Sequence, residues 1–528
     1  MSIRVLVRSV FALVVASAVF AGAAASGSAA DGTPATVAVT GGTLHGVAAD
    51  GVASFRGIPY AAPPVGALRW QPPAAPAAWT GARDASAFGN SCPQGKANGV
   101  FANPSATEDC LYLNVFAPAN ASAKRAVIVW FPGGGLVGGS STDYDASGLV
   151  KTGNVIVVSV NYRVGALGFF AYPALDAERH EAGDYGLMDQ QYALQWVQRN
   201  IGAFGGDPAN VTIAGESAGA LTVLAHMVAP ESAHLFARAI MESSGTPPVT
   251  ARGVPTIDVA EATGTRFATA AGCADMACLR ALPADKVVDV QSAFRFGLIG
   301  GPNTPIPVIF HAAFTAGTYN HVPVLTGTNH NEWRWSVANA ELNSGKPLTA
   351  DRYSAAIAAF YGTAMAPAIV NEYQVAAFPS PSEAVGTAET DGYMACGTLK
   401  LADWLSPSVP VYDYQFDDAN VPMYMPPVSF PYGPAHTTEL QFLFPLFHGG
   451  SGAIRPLSSA EQTLAHKMMA YWTNFAKTGN PNGPSLPAWP KFTAANEPVL
   501  SLDVPNQTVI TNFADQHRCK FWDGQNNY

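Results

Sequence analysis

Residues Val211 to Val228 read VTIAGESAGALTVLAHMV, and the stretch falls into three parts. Val211–Ala214 (VTIA) is short and apolar, which predicts a buried strand. Ala220–Val228 (ALTVLAHMV) predicts a helix. Between them, Gly215-Glu216-Ser217-Ala218-Gly219 fits G-x-S-x-G. A serine on a tight turn between strand and helix is lifted clear of the sheet. The flanking glycines let neighbouring backbone pass close, and the helix start aims amide N–H groups at developing negative charge. The five-residue pattern alone arises easily by chance in a chain with 50 glycines. Its place between a strand and a helix makes Ser217 a candidate nucleophile.

Working outward, the same alternation continues. Ala126–Phe131 (AVIVWF) and Val155–Val160 (VIVVSV) read as buried strands. Asp189–Asn200 (DQQYALQWVQRN) has helical spacing, with Leu194 and Val197 on one face. Leu235–Met241 leads into a further strand, and Val322–Thr326 and Val411–Phe416 read as later ones. Strands alternating with helices predict an α/β fold with a mainly parallel sheet covered by helices. A glycine run, Gly133-Gly134-Gly135, follows the strand Ala126–Phe131, and its amides are placed to donate to an oxyanion. With Leu136, Val137 and Gly138 the run also fits G-x-G-x-x-G. That dinucleotide fingerprint must open a helix, whereas residues Gly139 to Asp143 read as loop.

Composition narrows the function classes. Of 528 residues, 48% are hydrophobic and 12% charged, ample for a core and unlike a disordered chain. The formal net charge is −10, with no basic block, which disfavours nucleic acid and anionic membrane as partners. Arg4 and Arg8 precede an apolar run from about Val10 to Ala25, and Ser28-Ala29-Ala30 supplies small residues for cleavage. Residues 1–30 therefore read as a signal peptide, residues 31–528 as one domain, and the destination as secreted or periplasmic. The run is short for spanning, so stable membrane insertion is not expected. Six cysteines in an exported chain imply three disulfides, and spacing alone does not choose among the fifteen pairings that six cysteines allow. No C-x-x-C spacing occurs, and neither a metal nor another cofactor is expected.

Several longer stretches resemble the type-B carboxylesterases, relatives of cholinesterases and of some fungal lipases. They are FRGIPYAAPPVGALRW (Phe55–Trp70), EDCLYLNV (Glu108–Val115), WFPGGGL (Trp130–Leu136), NYRVGALG (Asn161–Gly168) and GGDPANVTIAGESAG (Gly205–Gly219). The resemblance implies an α/β-hydrolase sheet with large insertions and hydrolysis of a small-molecule ester. It implies a triad of Ser217, Glu332 in the loop GTNHNE, and His436 in the loop GPAHTTEL. It implies an oxyanion hole from the amides of Gly134, Gly135 and Ala218. Each triad residue lies in a Gly- or Pro-marked loop after a predicted strand, where such sites are built. Composition alone does not select His436 from eleven histidines, and His330, two residues before Glu332, reads as a loop residue. The family also includes adhesion proteins that lack the nucleophile, so Ser217, Glu332 and His436 together argue for an enzyme.

The resemblance further implies the pairs Cys92–Cys110, Cys273–Cys278 and Cys396–Cys519, and structural ion pairs Arg69–Glu108 and Arg163–Asp189. It departs from the family in two places. Pro132 precedes the glycine run where many relatives carry histidine. The Cys92–Cys110 loop holds 17 residues with Phe101 as its one aromatic, which disfavours choline esters and lid-gated lipase behaviour. Phe294-Arg295-Phe296 resembles the acyl-pocket segment of some relatives, with ordinary core packing as the competing reading. The expected substrates are short or medium acyl esters or aryl esters, with a bulky polyester, toxin ester or carbamate as a variant.

Overall fold

The computed structural model describes residues 32–96, 104–120, 124–181, 183–245, 254–308, 310–449 and 454–525. The expected signal peptide and Phe101 lie outside the described residues.

Runs of β-branched residues set the centre of the molecule. Among the described residues thirteen strands form one sheet. They are β1 (Thr33–Val39), β2 (Gly42–Ala49), β3 (Val52–Pro59), β4 (Ala82–Asp84), β5 (Tyr112–Pro118), β6 (Arg125–Phe131) and β7 (Ile156–Val160). Then follow β8 (Gly206–Glu216), β9 (Arg238–Glu242), β10 (Val324–Asn329), β11 (Val411–Phe416), β12 (Val499–Leu502) and β13 (Thr508–Ile510). The spatial order is β1-β2-β3-β5-β7-β6-β8-β9-β10-β11-β12-β13, with β4 beside β2. Neighbours from β7 through β12 are parallel. The flanks pair antiparallel, from β1 through β2, β3 and β5 to β7 at one edge and β12 with β13 at the other, while short β4 runs parallel to β2. Every residue of β7, β10, β11 and β12 is buried, as a parallel sheet covered on both faces requires. The expected mostly parallel α/β sheet is therefore the fold observed.

The strand order fixes where a site can form. From β6 the chain moves to β7 on one side, then crosses to β8 on the other. The carboxyl ends of β6 and β8 thus flank a topological switch point, the usual crevice of an open α/β sheet. The glycine run leaves β6 there, and Ser217 leaves β8.

The turn at Ser217 is as tight as its sequence implies. β8 runs to Glu216 and a helix begins at Ala218, so Ser217 alone makes the reversal, at φ 55° and ψ −123°. A non-glycine residue in such a region costs on the order of 1–3 kcal/mol and persists only where its surroundings enforce it. Here the Ser217 N–H donates to the Glu242 carbonyl at 2.9 Å, tying the turn to the end of β9. Gly219 shows why no side chain is tolerated: a Cβ there would lie 2.0 Å from the Phe131 carbonyl oxygen.

Disulfides join Cys92 to Cys110, Cys273 to Cys278 and Cys396 to Cys519. Arg69 pairs with Glu108 at 2.5 Å, and buried Arg163 grips both oxygens of Asp189 at 2.7 and 2.8 Å. Bidentate pairing of this kind holds loops in register.

The close approach at Gly219 gives a test of the fold. Gly219→Ala should lower the melting temperature and impair the turn, because backbone rather than a flexible side chain must yield. Gly202→Ala is the control, since a Cβ there meets nothing within 4 Å. Thermal unfolding of both variants measures the difference; equal melting temperatures would contradict the contact.

Candidate active site

Three strands deliver the three chemical groups. β8 ends at Ser217. Glu332 lies three residues beyond the end of β10, and His436 lies in the loop that follows β11. His436 Nε2 is 2.8 Å from Ser217 Oγ, and His436 Nδ1 is 2.6 Å from Glu332 Oε2. The His436 N–H also donates to the Glu332 carbonyl at 3.0 Å, so backbone and side chain fix the pair together. Glu332 is fully buried, His436 nearly so, and Ser217 half-buried.

The other Glu332 oxygen is fully occupied. Oε1 accepts from Ser243 Oγ at 2.5 Å, Thr328 Oγ1 at 2.9 Å and the Asn329 N–H at 2.7 Å. Burial alone would raise this carboxyl. The His436 charge and these donors outweigh burial and hold it below the ordinary range. Sequence reasoning missed Ser243 and Thr328. Each stands at or just beyond the end of a strand, which was the one available signal.

More buried carboxyls surround the trio. Glu216 Oε1 lies 3.3 Å from His436 Nε2. Burial, then repulsion from Glu439, Glu332 and Glu242, pushes Glu216 well above the usual carboxylate range. Glu439 is raised likewise. Glu216 thus sits beside the imidazole as a buried carboxyl whose charged form is disfavoured by its surroundings. Glu242, which accepts the Trp472 indole N–H at 2.7 Å, is pushed up by burial to about 8.

The trio opens into a cavity of about 870 Å³. Gly134, Gly135 and Ala218 line it beside Ser217. Gly134 and Gly135 have φ of 120° and 64°, conformations that favour glycine. The amides of Val137 and Gly138 close a turn onto the Gly134 carbonyl at 3.1 and 3.0 Å. This segment continues into a short 3₁₀ turn, Ser141–Asp143, instead of the helix that a dinucleotide fingerprint would open. The Pro132 carbonyl accepts the Tyr162 hydroxyl at 2.7 Å, anchoring the start of the run. His330 pairs with Asp417 at 2.8 Å, as a loop residue would.

Aromatic rings shape the cavity. Trp333, Trp335 and Tyr393 line it, and the two indoles stand 5.2 and 5.9 Å from the His436 ring. Tyr393 belongs to a π-helical segment, Thr390–Ala395, whose Thr390 Oγ1 accepts the Trp333 N–H at 3.0 Å. Phe294 and Phe296 also line the cavity, and both rings pack edge-on against buried Phe267 at 5.9 and 5.5 Å. The two rings thus wall the cavity and also pack against the core.

A mostly parallel sheet with a serine turn at its switch point defines the α/β-hydrolase fold. A family model described as "Carboxylesterase family" matches residues 33–522. Human cocaine esterase is 33% identical over 520 residues, covering 93% of this chain and 90% of its own. The mouse acylcarnitine hydrolase is 32% identical over 512 residues, covering 89% and 86%. Among solved structures, a thermophilic PNB esterase superposes with a TM-score of 0.79 at 30% identity, covering 93% of this chain and all of its own. The chain belongs to the carboxylesterase family, and it is a carboxylic-ester hydrolase.

The buried carboxyls make stability depend on pH. A carboxyl raised in the folded state is deprotonated more readily when unfolded. Its burial is therefore best tolerated at low pH and costs stability as pH rises from the ordinary carboxylate range toward about 8 for Glu242. The melting temperature should fall between pH 5 and pH 8.5, and Glu242→Gln should flatten part of that fall. Calorimetry across this range checks it; an unchanged slope in the variant would contradict the assignment.

Proposed function

We propose that the ester is cleaved through an acyl-enzyme on Ser217. His436 Nε2 removes the Ser217 proton as Oγ attacks the ester carbonyl carbon. The carbonyl π electrons move onto oxygen, and the amides of Gly134, Gly135 and Ala218 receive that oxyanion. Glu332 holds the imidazole orientation and stabilises its cationic form. As the intermediate collapses, the C–O bond breaks, and His436 gives the proton to the departing alcohol. A water then repeats the sequence on the acyl-serine, releasing the acid and restoring Ser217.

The observation that carries this reading is the unbroken chain of bonds from Glu332 through His436 to Ser217, ending at the cavity. A cavity of about 870 Å³ is of drug-ligand size. The relatives' names include hydrolysis of cocaine, acylcarnitine and pyrethroids. Short or medium acyl esters and aryl esters are the substrates we assign. Trp333 and Trp335 beside His436 favour an aromatic group near the leaving-alcohol side, and Phe294 and Phe296 wall the acyl side. Among the described residues no helix is long and apolar enough to cross a membrane. Three disulfides fit an oxidising compartment. Together with the basic and apolar start of the chain they support export, with residues 1–30 removed and residues 31–528 as the working domain.

Ser217→Ala should fold normally and lose turnover by on the order of 10⁴ to 10⁶. Retention of more than about a tenth of wild-type kcat overturns the nucleophile. Phe296→Ala should raise kcat/KM for benzoyl relative to acetyl esters, by about tenfold for loss of a ring from such a pocket. It should also lower the melting temperature, at a cost below the roughly 3–5 kcal/mol of a fully buried ring, since Phe296 is half-buried. A lowered melting temperature with an unchanged acyl ratio would assign the ring to packing alone.

A further inference from the structure

The outer wall of the cavity carries two cations. Arg266 and Arg295 both line it and both are exposed. The other titratable side chains among its described lining residues are Tyr393 and, at the reaction centre, Glu216 and His436. Arg266 donates to Thr263 Oγ1 at 3.1 Å, and among the described residues neither arginine enters an ion pair.

The helix Ile257–Ala271 turns Val259, Thr263 and Arg266 toward the cavity, an i, i+4, i+7 stripe. The acids of the same helix, Asp258 and Glu261, fall on another face, where Glu261 is raised by burial and then by Asp176 and Asp258. The residue after Arg266 is Phe267, whose ring packs on Phe294 and Phe296, the two neighbours of Arg295. One aromatic cluster therefore joins the two arginines to the wall that we assign to the acyl group. In a chain of net charge −10, a pair of uncompensated guanidinium groups at a cavity wall is a local reversal of field.

We propose that Arg266 and Arg295 form a subsite for an anionic acyl tail, so that preferred substrates are half-esters of dicarboxylic acids. The ester carbonyl reaches Ser217, the methylene chain lies along Phe294 and Phe296, and the distal carboxylate meets the guanidinium donors, which pair with carboxylates in matched geometry. This rests on the acyl-side assignment of the Phe294–Phe296 wall. It goes beyond it by naming the charge and length of the acyl group.

The test uses the full-length protein and aryl esters with one common leaving group. Their six-carbon acyl chains end in methyl, carboxylate or trimethylammonium. At low salt the carboxylate-ended ester should exceed the methyl-ended one in kcat/KM by about 3- to 30-fold, as two partly exposed charge contacts allow. That ratio should shrink severalfold at 0.5 M NaCl, since exposed pairs are screened. Arg266→Glu with Arg295→Glu should invert the ratio toward the trimethylammonium ester. Because the readout is a ratio between substrates, a general loss of activity does not imitate it. A wild-type ratio at or below one, or a ratio unmoved by the double substitution, overturns the subsite. Preference for a carboxylate carried on the alcohol instead of the acyl group overturns the acyl-side placement. Failure of the Ser217 mechanism would appear separately, as activity of Ser217→Ala on the methyl-ended ester.

Discussion

The contact on which this structure turns is between two pieces of backbone. The Phe131 carbonyl, at the end of β6, occupies the space a side chain on residue 219 would need, 2.0 Å from where a Cβ would sit. That approach lets the helix after β8 start against the neighbouring strand. It brings the glycine run and the serine turn to one point, and it leaves Ser217 alone to reverse the chain in a strained conformation. Ser217 stays there because its N–H is held by Glu242 on the next strand. The strain is thus borne by three adjacent parallel strands, β6, β8 and β9, whose carboxyl ends are buried.

The same crowding explains the unusual electrostatics. Strands that end together bring their ends and following loops together, and four glutamates gather there: Glu216 and Glu242 at the ends of β8 and β9, and Glu332 and Glu439 in the loops after β10 and β11. The His436 charge and its hydrogen-bond donors hold Glu332 below the ordinary carboxylate range, whereas burial raises Glu216, Glu242 and Glu439. Four carboxylates charged together would repel one another in a site with little water.

The central strands were legible because a strand covered on both faces must be apolar throughout. The sequence bounds of Val411–Phe416 match β11, and the runs read for β9 and β10 fall within a few residues of those strands, while β12 has no counterpart among the runs read. The antiparallel flank was not read. β1, for example, alternates exposed and half-buried positions without a strong apolar run, and its partner strands supply the pattern that its own residues lack. The candidate site divides in the same way. Ser217 announces itself through local geometry. His436 does not, because what distinguishes it is a hydrogen bond to a residue 104 positions away. Its place came only from likeness to a family. Ser243 and the Trp333–Tyr393 wall were invisible for the same reason: their importance lies in what the fold lays against them.

The Cys396–Cys519 bond closes a covalent ring of chain that contains β11, His436 and the long helix Ser459–Thr478. A protease that cuts one exposed bond inside that ring does not divide the molecule, since both new ends remain tethered through sulfur. The histidine loop and the strands that support it stay attached to the serine and the glutamate. A single nick there is damage that does not cost the assembly its parts.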